Sequence, residues 1–185
     1  MIFYPCHDLF MDILHNNLPQ AIAMIHGNSD HPDLKGTVRF YKTPYEGVLI
    51  SAELYHLPHR MPAGIPTFYG FHIHENGDCS DQFNNTGGHL NLMGQPHPHH
   101  TGDLPPLLST SGYAFMNVYA EQLSIPQIIG RSVIVHDNVD DFTTQPSGNS
   151  GNKIACGVIT PVRRGDSTMP APFPSVSSPS SVSSE

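Results

Sequence analysis

Between Gly70 and Asp103 the chain gathers His72, His74, His89, His97, His100 and Asp103, with Cys79 among them. Alternate residues of a β-strand share a face, so His72 and His74 present two imidazoles side by side, roughly 6–7 Å apart at the backbone. That separation suits two ligands of one ion. His89, His97, His100 and Asp103 then follow at steps of eight, three and three residues. Neutral imidazole suits copper and zinc, and a single carboxylate fits a tetrahedral zinc site. His136, at the end of an apolar run, is the remaining candidate. The pattern reads as a site for two metals.

Each part weighs differently. A His-x-His pair alone is weak, because such pairs also occur on solvated faces. A histidine-rich loop is stronger, because packing gives it no reason to exist. His99, in Pro98-His99-His100-Thr101, reads as an exposed loop residue beside a ligand. His7, His15, His26, His31, His56 and His59 show no spacing that implies chemistry. The total of 13 His in 185 residues is the one extreme number in the composition.

The elements that must position these side chains are short strands. Apolar or alternating runs cover 21–27, 35–41, 47–57, 68–74, 113–119, 128–136 and 154–159, and 35–41 with 47–57 make a hairpin. Residues 76–106 and 137–152 carry no strand signal. A loop of about thirty residues without regular structure is uncommon unless it is functional. A bound metal supplies the order that such a loop cannot gain from apolar contacts. Seven or eight strands with two oversized loops imply an all-β fold, a Greek-key β-barrel or sandwich of about eight antiparallel strands. The expected division is an N-terminal extension over 1–19, a β-barrel domain over 20–162 and a Ser/Pro-rich disordered tail over 163–185. Within 1–19, Ile2, Phe3, Leu9, Phe10, Ile13 and Leu14 fit either a short amphipathic turn packed on the domain or a frayed tail.

The formal net charge of -8, with eight Lys and Arg, argues against nucleic acid or an anionic membrane surface as partner. No apolar run approaches the ~20 residues of a membrane span. Asp8 and Asp12 interrupt the N-terminal stretch, which lacks a basic start, so no secretory leader is expected and the setting expected is cytoplasmic. Cys79 and Cys156, if paired, close a loop of about 77 residues, worth roughly 4 kcal/mol in the chain-entropy model. Two free thiols are the alternative, usual for an intracellular protein. Cys6 reads as unpaired.

The segments Gly70-Phe71-His72-Ile73-His74-Glu75-Asn76-Gly77 and Gly148-Asn149-Ser150-Gly151-Asn152-Lys153-Ile154-Ala155-Cys156-Gly157-Val158-Ile159 resemble the two signatures of the Cu/Zn superoxide dismutases, and the similarity runs over 21–159. The resemblance implies copper held by His72, His74, His89 and His136. It implies zinc held by His89, His97, His100 and Asp103, with His89 bridging the two ions. It also implies a Cys79–Cys156 disulfide, and Asp140 as the carboxylate that bonds both His72 and His97 and fixes their rings. The implied activity is conversion of superoxide to oxygen and hydrogen peroxide, with His89 taking part in proton transfer; a homodimer is the assembly common in the family.

Two departures matter. Lys153 stands where the family usually has the Arg that draws the anion inward; it keeps the charge but loses the planar fork of donors. The segment between Phe142 and Lys153 carries no other charge, so steering must come from Lys153 and the metals. The tight His97–His100 step is closer to microbial members than to animal ones. The rival readings are a non-catalytic copper/zinc-binding module (a copper store or chaperone domain), a zinc hydrolase and a structural zinc protein. A hydrolase needs an open zinc position that Asp103 would fill, and a structural zinc protein has no use for His72, His74 and His136.

Overall fold

Alternation of apolar and polar residues is what organises the barrel. In β1 (Ala21–Gly27) Ala21, Ala23 and Ile25 are buried and the residues between them are not. The hairpin of β2 (Lys35–Lys42) and β3 (Val48–Tyr55) buries Val38, Phe40, Ile50, Ala52 and Leu54. Burying each large apolar side chain stabilises by about 1.5–3 kcal/mol relative to exposure. The computed structural model describes residues 4–59, 62 and 64–163; the Ser/Pro-rich segment beyond 163 lies outside them.

The further strands are β4 (Thr67–Tyr69), β5 (Phe71–His74), β6 (Leu107–Thr110), β7 (Tyr113–Ala120), β8 (Ser132–His136) and β9 (Lys153–Pro161). All pair antiparallel in the order β4-β6-β7-β3-β2-β1-β9-β8-β5. Only Gly70 separates β4 from β5, so the two ends of the sheet are consecutive in the chain and close an all-β Greek-key barrel. The sequence suggests one strand over 68–74. It is broken at Gly70 because its halves pair with different neighbours, β6 and β8. Gly70 itself donates to the Asn138 carbonyl at 2.7 Å and accepts from the His136 amide at 2.8 Å.

Two further differences have local causes. β6 follows Pro105 and Pro106 and has four residues, too few to show a period. The strand expected from 128 starts at Ser132. Pro126 sits in the first turn of α2 (Ile125–Ile128), and Gly130, at φ 77°, turns the chain before β8 can begin. At the other terminus, residues His7–Asn16 form an amphipathic helix, α1, while Ile2 and Phe3 lie outside the described residues. Ile13 and Leu14, with Leu9, Phe10 and Met11 beside them, pack on Tyr41 and Leu49 of the barrel's outer face. Ten residues are too few for a helix to persist alone in water, so this contact holds it. Among the described residues no helix is long and apolar enough to cross a membrane.

The consequence for chemistry lies in β5. Phe71 and Ile73 point into the core, so the same alternation sends His72 and His74 to the outer face, where the loops 75–106 and 137–152 roof them.

Candidate metal centre

The first loop is held against the free edge of β5 by backbone bonds. Leu90 N–H donates to Ile73 O at 2.8 Å, Ile73 N–H to Gly102 O at 2.9 Å, and Glu75 N–H to Gly88 O at 3.0 Å. These bonds set His89 opposite His74 and Asp103 opposite His72. Gly102 is required here, since a Cβ would lie 2.2 Å from the Ile73 carbonyl oxygen. From the other side, a register shift between Val135 and His136 at the end of β8 re-aims His136 toward the same place.

Two groups of ligand atoms result. One is His72, His74, His89 and His136; the other is His89, His97, His100 and Asp103; within each, the atoms lie within 4.8 Å of one another. His89 belongs to both. His72, His74, His89, His97 and His136 are all buried.

The hydrogen bonds decide which nitrogen each ring has left. His74 Nδ1–H donates to Gly87 O at 3.0 Å and His136 Nδ1–H to Gly151 O at 3.3 Å. His72 Nε2–H and His97 Nε2–H donate to the two oxygens of Asp140, at 2.8 and 2.9 Å. Each of these four rings is thereby left with one lone pair facing its group. The atoms His72 Nδ1, His89 Nε2, His97 Nδ1 and His100 Nδ1 are buried without a hydrogen-bond partner. Buried polar atoms are normally satisfied. His97 Nδ1 also lies 3.0 Å from Asp103 Oδ2, lone pair against carboxylate. Orphaned lone pairs converging in this way fit cations and little else.

The electrostatics agree. Burial, reinforced by neighbouring imidazoles, holds His74 far below the ordinary histidine range and His136 down at about 3. Burial lowers His72 and His100 as well. Neutral rings are the ligating form. Burial alone would raise Asp140, but hydrogen bonds from His72, the Phe142 amide and His97 outweigh it and bring it to about 2. Burial likewise opposes ionisation of Asp103, but hydrogen bonds to its carboxylate from the His89 ring and from the His100 amide keep it below the usual range.

The remaining candidates fall around this centre. Asp140 bridges the two groups through His72 and His97. Cys79 and Cys156 form a disulfide with a Cα–Cα distance of 5.9 Å, while Cys6 is free and exposed. His99 is exposed. Lys153 is half-buried, and its Nζ donates to Phe83 O, Thr86 Oγ1 and Gly87 O. Sequence reasoning missed Gln145, which exchanges two bonds with the backbone of His97, at 3.0 and 2.7 Å. It also missed the Gly87 and Gly151 carbonyls, since a backbone acceptor leaves no mark in residue type.

Comparison with known proteins points the same way. Residues 34–159 match the family model for copper/zinc superoxide dismutase. The chain is 35% identical over 145 residues to a Cu-Zn superoxide dismutase of Legionella pneumophila, covering 74% of this chain and 85% of that protein. It is 31% identical over 156 residues to the human copper chaperone for superoxide dismutase, covering 77% of this chain but spanning only 53% of that protein's length. A double mutant of a SOD-like protein from Bacillus subtilis superposes with a TM-score of 0.65 at 30% identity, covering 74% of this chain and 94% of that one. With the matched segment running from β2 to β9, through every side chain of both ligand groups, the chain belongs to the copper/zinc superoxide dismutase family, a family that binds copper and zinc.

Proposed function

We propose that this protein is a superoxide dismutase. Copper is held by His72, His74, His89 and His136, zinc by His89, His97, His100 and Asp103, and two superoxide anions with two protons become oxygen and hydrogen peroxide. The observation that carries the reading is His89, a single ring belonging to both ligand groups. Bound copper supplies a one-electron couple that histidine ligands tolerate in both oxidation states, and bound zinc keeps the shared ring in place.

The chain's own residues do the rest. Asp103 holds the Nδ1 side of His89 at 2.7 Å and leaves its Nε2 without a partner. That atom can take up a proton when the first superoxide gives up its electron and return it when the second is reduced. Asp140 keeps His72 and His97 from rotating, so the two metal positions move as one unit. Lys153 places a positive charge on the Gly87 carbonyl that also holds His74, in a chain of net charge -8, and this local charge favours an anionic substrate.

The test is recombinant protein loaded with copper and zinc, assayed for metal content and superoxide decay. Stoichiometric metal with decay far faster than the uncatalysed rate is the expected result. Full copper content with decay at the buffer rate would overturn it. That outcome would support the second reading, a non-catalytic copper/zinc-binding module, whose specific support is the similarity to the human copper chaperone.

A further inference from the structure

We propose that Lys153 is a positioning residue for His74 and offers no hydrogen bond to a substrate anion. An ammonium has three N–H bonds to give. Those of Lys153 go to Phe83 O at 3.2 Å, Thr86 Oγ1 at 2.8 Å and Gly87 O at 3.0 Å. None remains. The Gly87 carbonyl is also the acceptor that holds His74 Nδ1–H at 3.0 Å. One carbonyl oxygen therefore stands between the ammonium and the ring, and its placement sets both the tautomer and the orientation of His74.

The neighbouring backbone explains why so many bonds are spent there. Asp81, Gln82 and Phe83 are three consecutive non-glycine residues in the left-handed region, at φ 49°, 52° and 69°. Such a run persists only where its surroundings over-determine it. Phe83 is buried against Ile134 and Cys156, and its carbonyl receives both Lys153 Nζ and Thr86 Oγ1, the latter at 2.8 Å. Lys153, reaching over from the first residue of β9, ties the end of this turn to the carbonyl that holds His74. An arginine at this position has five donors. The same three acceptors would leave two of them free to face an anion. The lysine keeps the charge, which acts through space, and forgoes direct contact.

The inference rests on the copper assignment of His74. Its tests do not require turnover, so it and the dismutase reading can fail separately. Copper- and zinc-loaded wild type, Lys153→Met and Lys153→Arg are compared by Cu(II) electron paramagnetic resonance, by chelator competition for copper and by azide titration. Lys153→Met is expected to change the Cu(II) spectrum and weaken copper binding about ten-fold, the lower end of what losing a ligand's supporting partner costs. Lys153→Arg is expected to bind azide about ten-fold more tightly through its unspent donors. An unchanged spectrum with unchanged copper affinity in Lys153→Met would overturn the proposal, as would azide bound no more tightly by Lys153→Arg. Should Lys153→Met fail to fold, the azide comparison of Lys153→Arg with wild type decides.

Discussion

His74 and His136 turn their Nε2 atoms toward one another at 3.3 Å. With each Nδ1–H committed to a backbone carbonyl, neither Nε2 carries a proton, and two lone pairs meet in a buried space. Protonating either ring would relieve the clash but requires a charge where burial excludes water. The metal-free site is therefore held in a state that resists protons and is suited to a cation.

This relationship fixes a pH dependence for the metal-free protein. His74 and His136 have folded-state affinities for protons below the unfolded value, His136 at about 3. Between that level and an unfolded value of about 6.5, the unfolded chain binds protons that the folded chain refuses. Stability is thus full above about pH 7 and is lost as pH falls through the unfolded histidine range. Each ring contributes at most about 1.4 kcal/mol per pH unit. Urea unfolding of metal-free protein between pH 7.5 and 4.5 should show this slope, and His136→Gln should flatten it. An unchanged slope in His136→Gln would show that the ring is not held neutral.

Asp140 links the groups through bonds of 2.8 Å to His72 and 2.9 Å to His97. Asp140→Asn keeps the shape, but its amide nitrogen cannot accept a hydrogen bond and the charge is gone. One of the two rings then loses its partner. Loss of such a support commonly costs ten- to a hundred-fold in metal affinity. Chelator competition should register a loss of that size for copper or zinc, against wild-type protein under the same conditions. Gly148 gives a second handle on the same carboxylate. A Cβ at this position, where φ is 64°, would lie 1.9 Å from Asp140 Oδ1, so Gly148→Ala should weaken metal binding in the same direction.

The histidines were legible because their chemistry and the strand period coincide. In β5 the apolar Phe71 and Ile73 mark the inner face, and the rings between them must face out. The break at Gly70 was not legible, because it depends on which strands the two halves meet rather than on the residues themselves. Nor were the partners of Lys153, which include two backbone carbonyls, or Gln145, an exposed glutamine indistinguishable in sequence from its neighbours. The helix α1 was half visible. Its apolar stripe is clear, but whether it docks depends on Tyr41 and Leu49 turning their side chains outward from β2 and β3.

The Cys79–Cys156 bridge anchors the first loop to β9 across 77 residues. Chain entropy assigns such a bridge about 4 kcal/mol. Against this, the left-handed run at Asp81, Gln82 and Phe83 costs about 1–2 kcal/mol per residue, some of which is recovered if the freed loop relaxes. Replacing both cysteines with serine should therefore lower the unfolding free energy by about 2–4 kcal/mol in denaturant titration. A loss near zero would mean that the loop holds its shape without the bridge.

Helix α1 should report separately from the barrel. Ile13 is 3% exposed, and truncating a buried isoleucine to alanine costs about 2–5 kcal/mol when the whole structure bears the loss. A ten-residue helix docked on an outer face can instead open by itself, which caps the penalty at its own docking energy. Ile13→Ala is therefore expected to raise amide exchange across His7–Asn16 by about ten-fold or more, one decade for each ~1.4 kcal/mol of docking lost. The urea midpoint of the barrel and the Cu(II) spectrum should stay close to wild type. A barrel destabilised by the full amount would show that the N-terminal extension and residues 20–162 unfold as one body. Unaltered exchange in the helix would show that Ile13 does not hold it down.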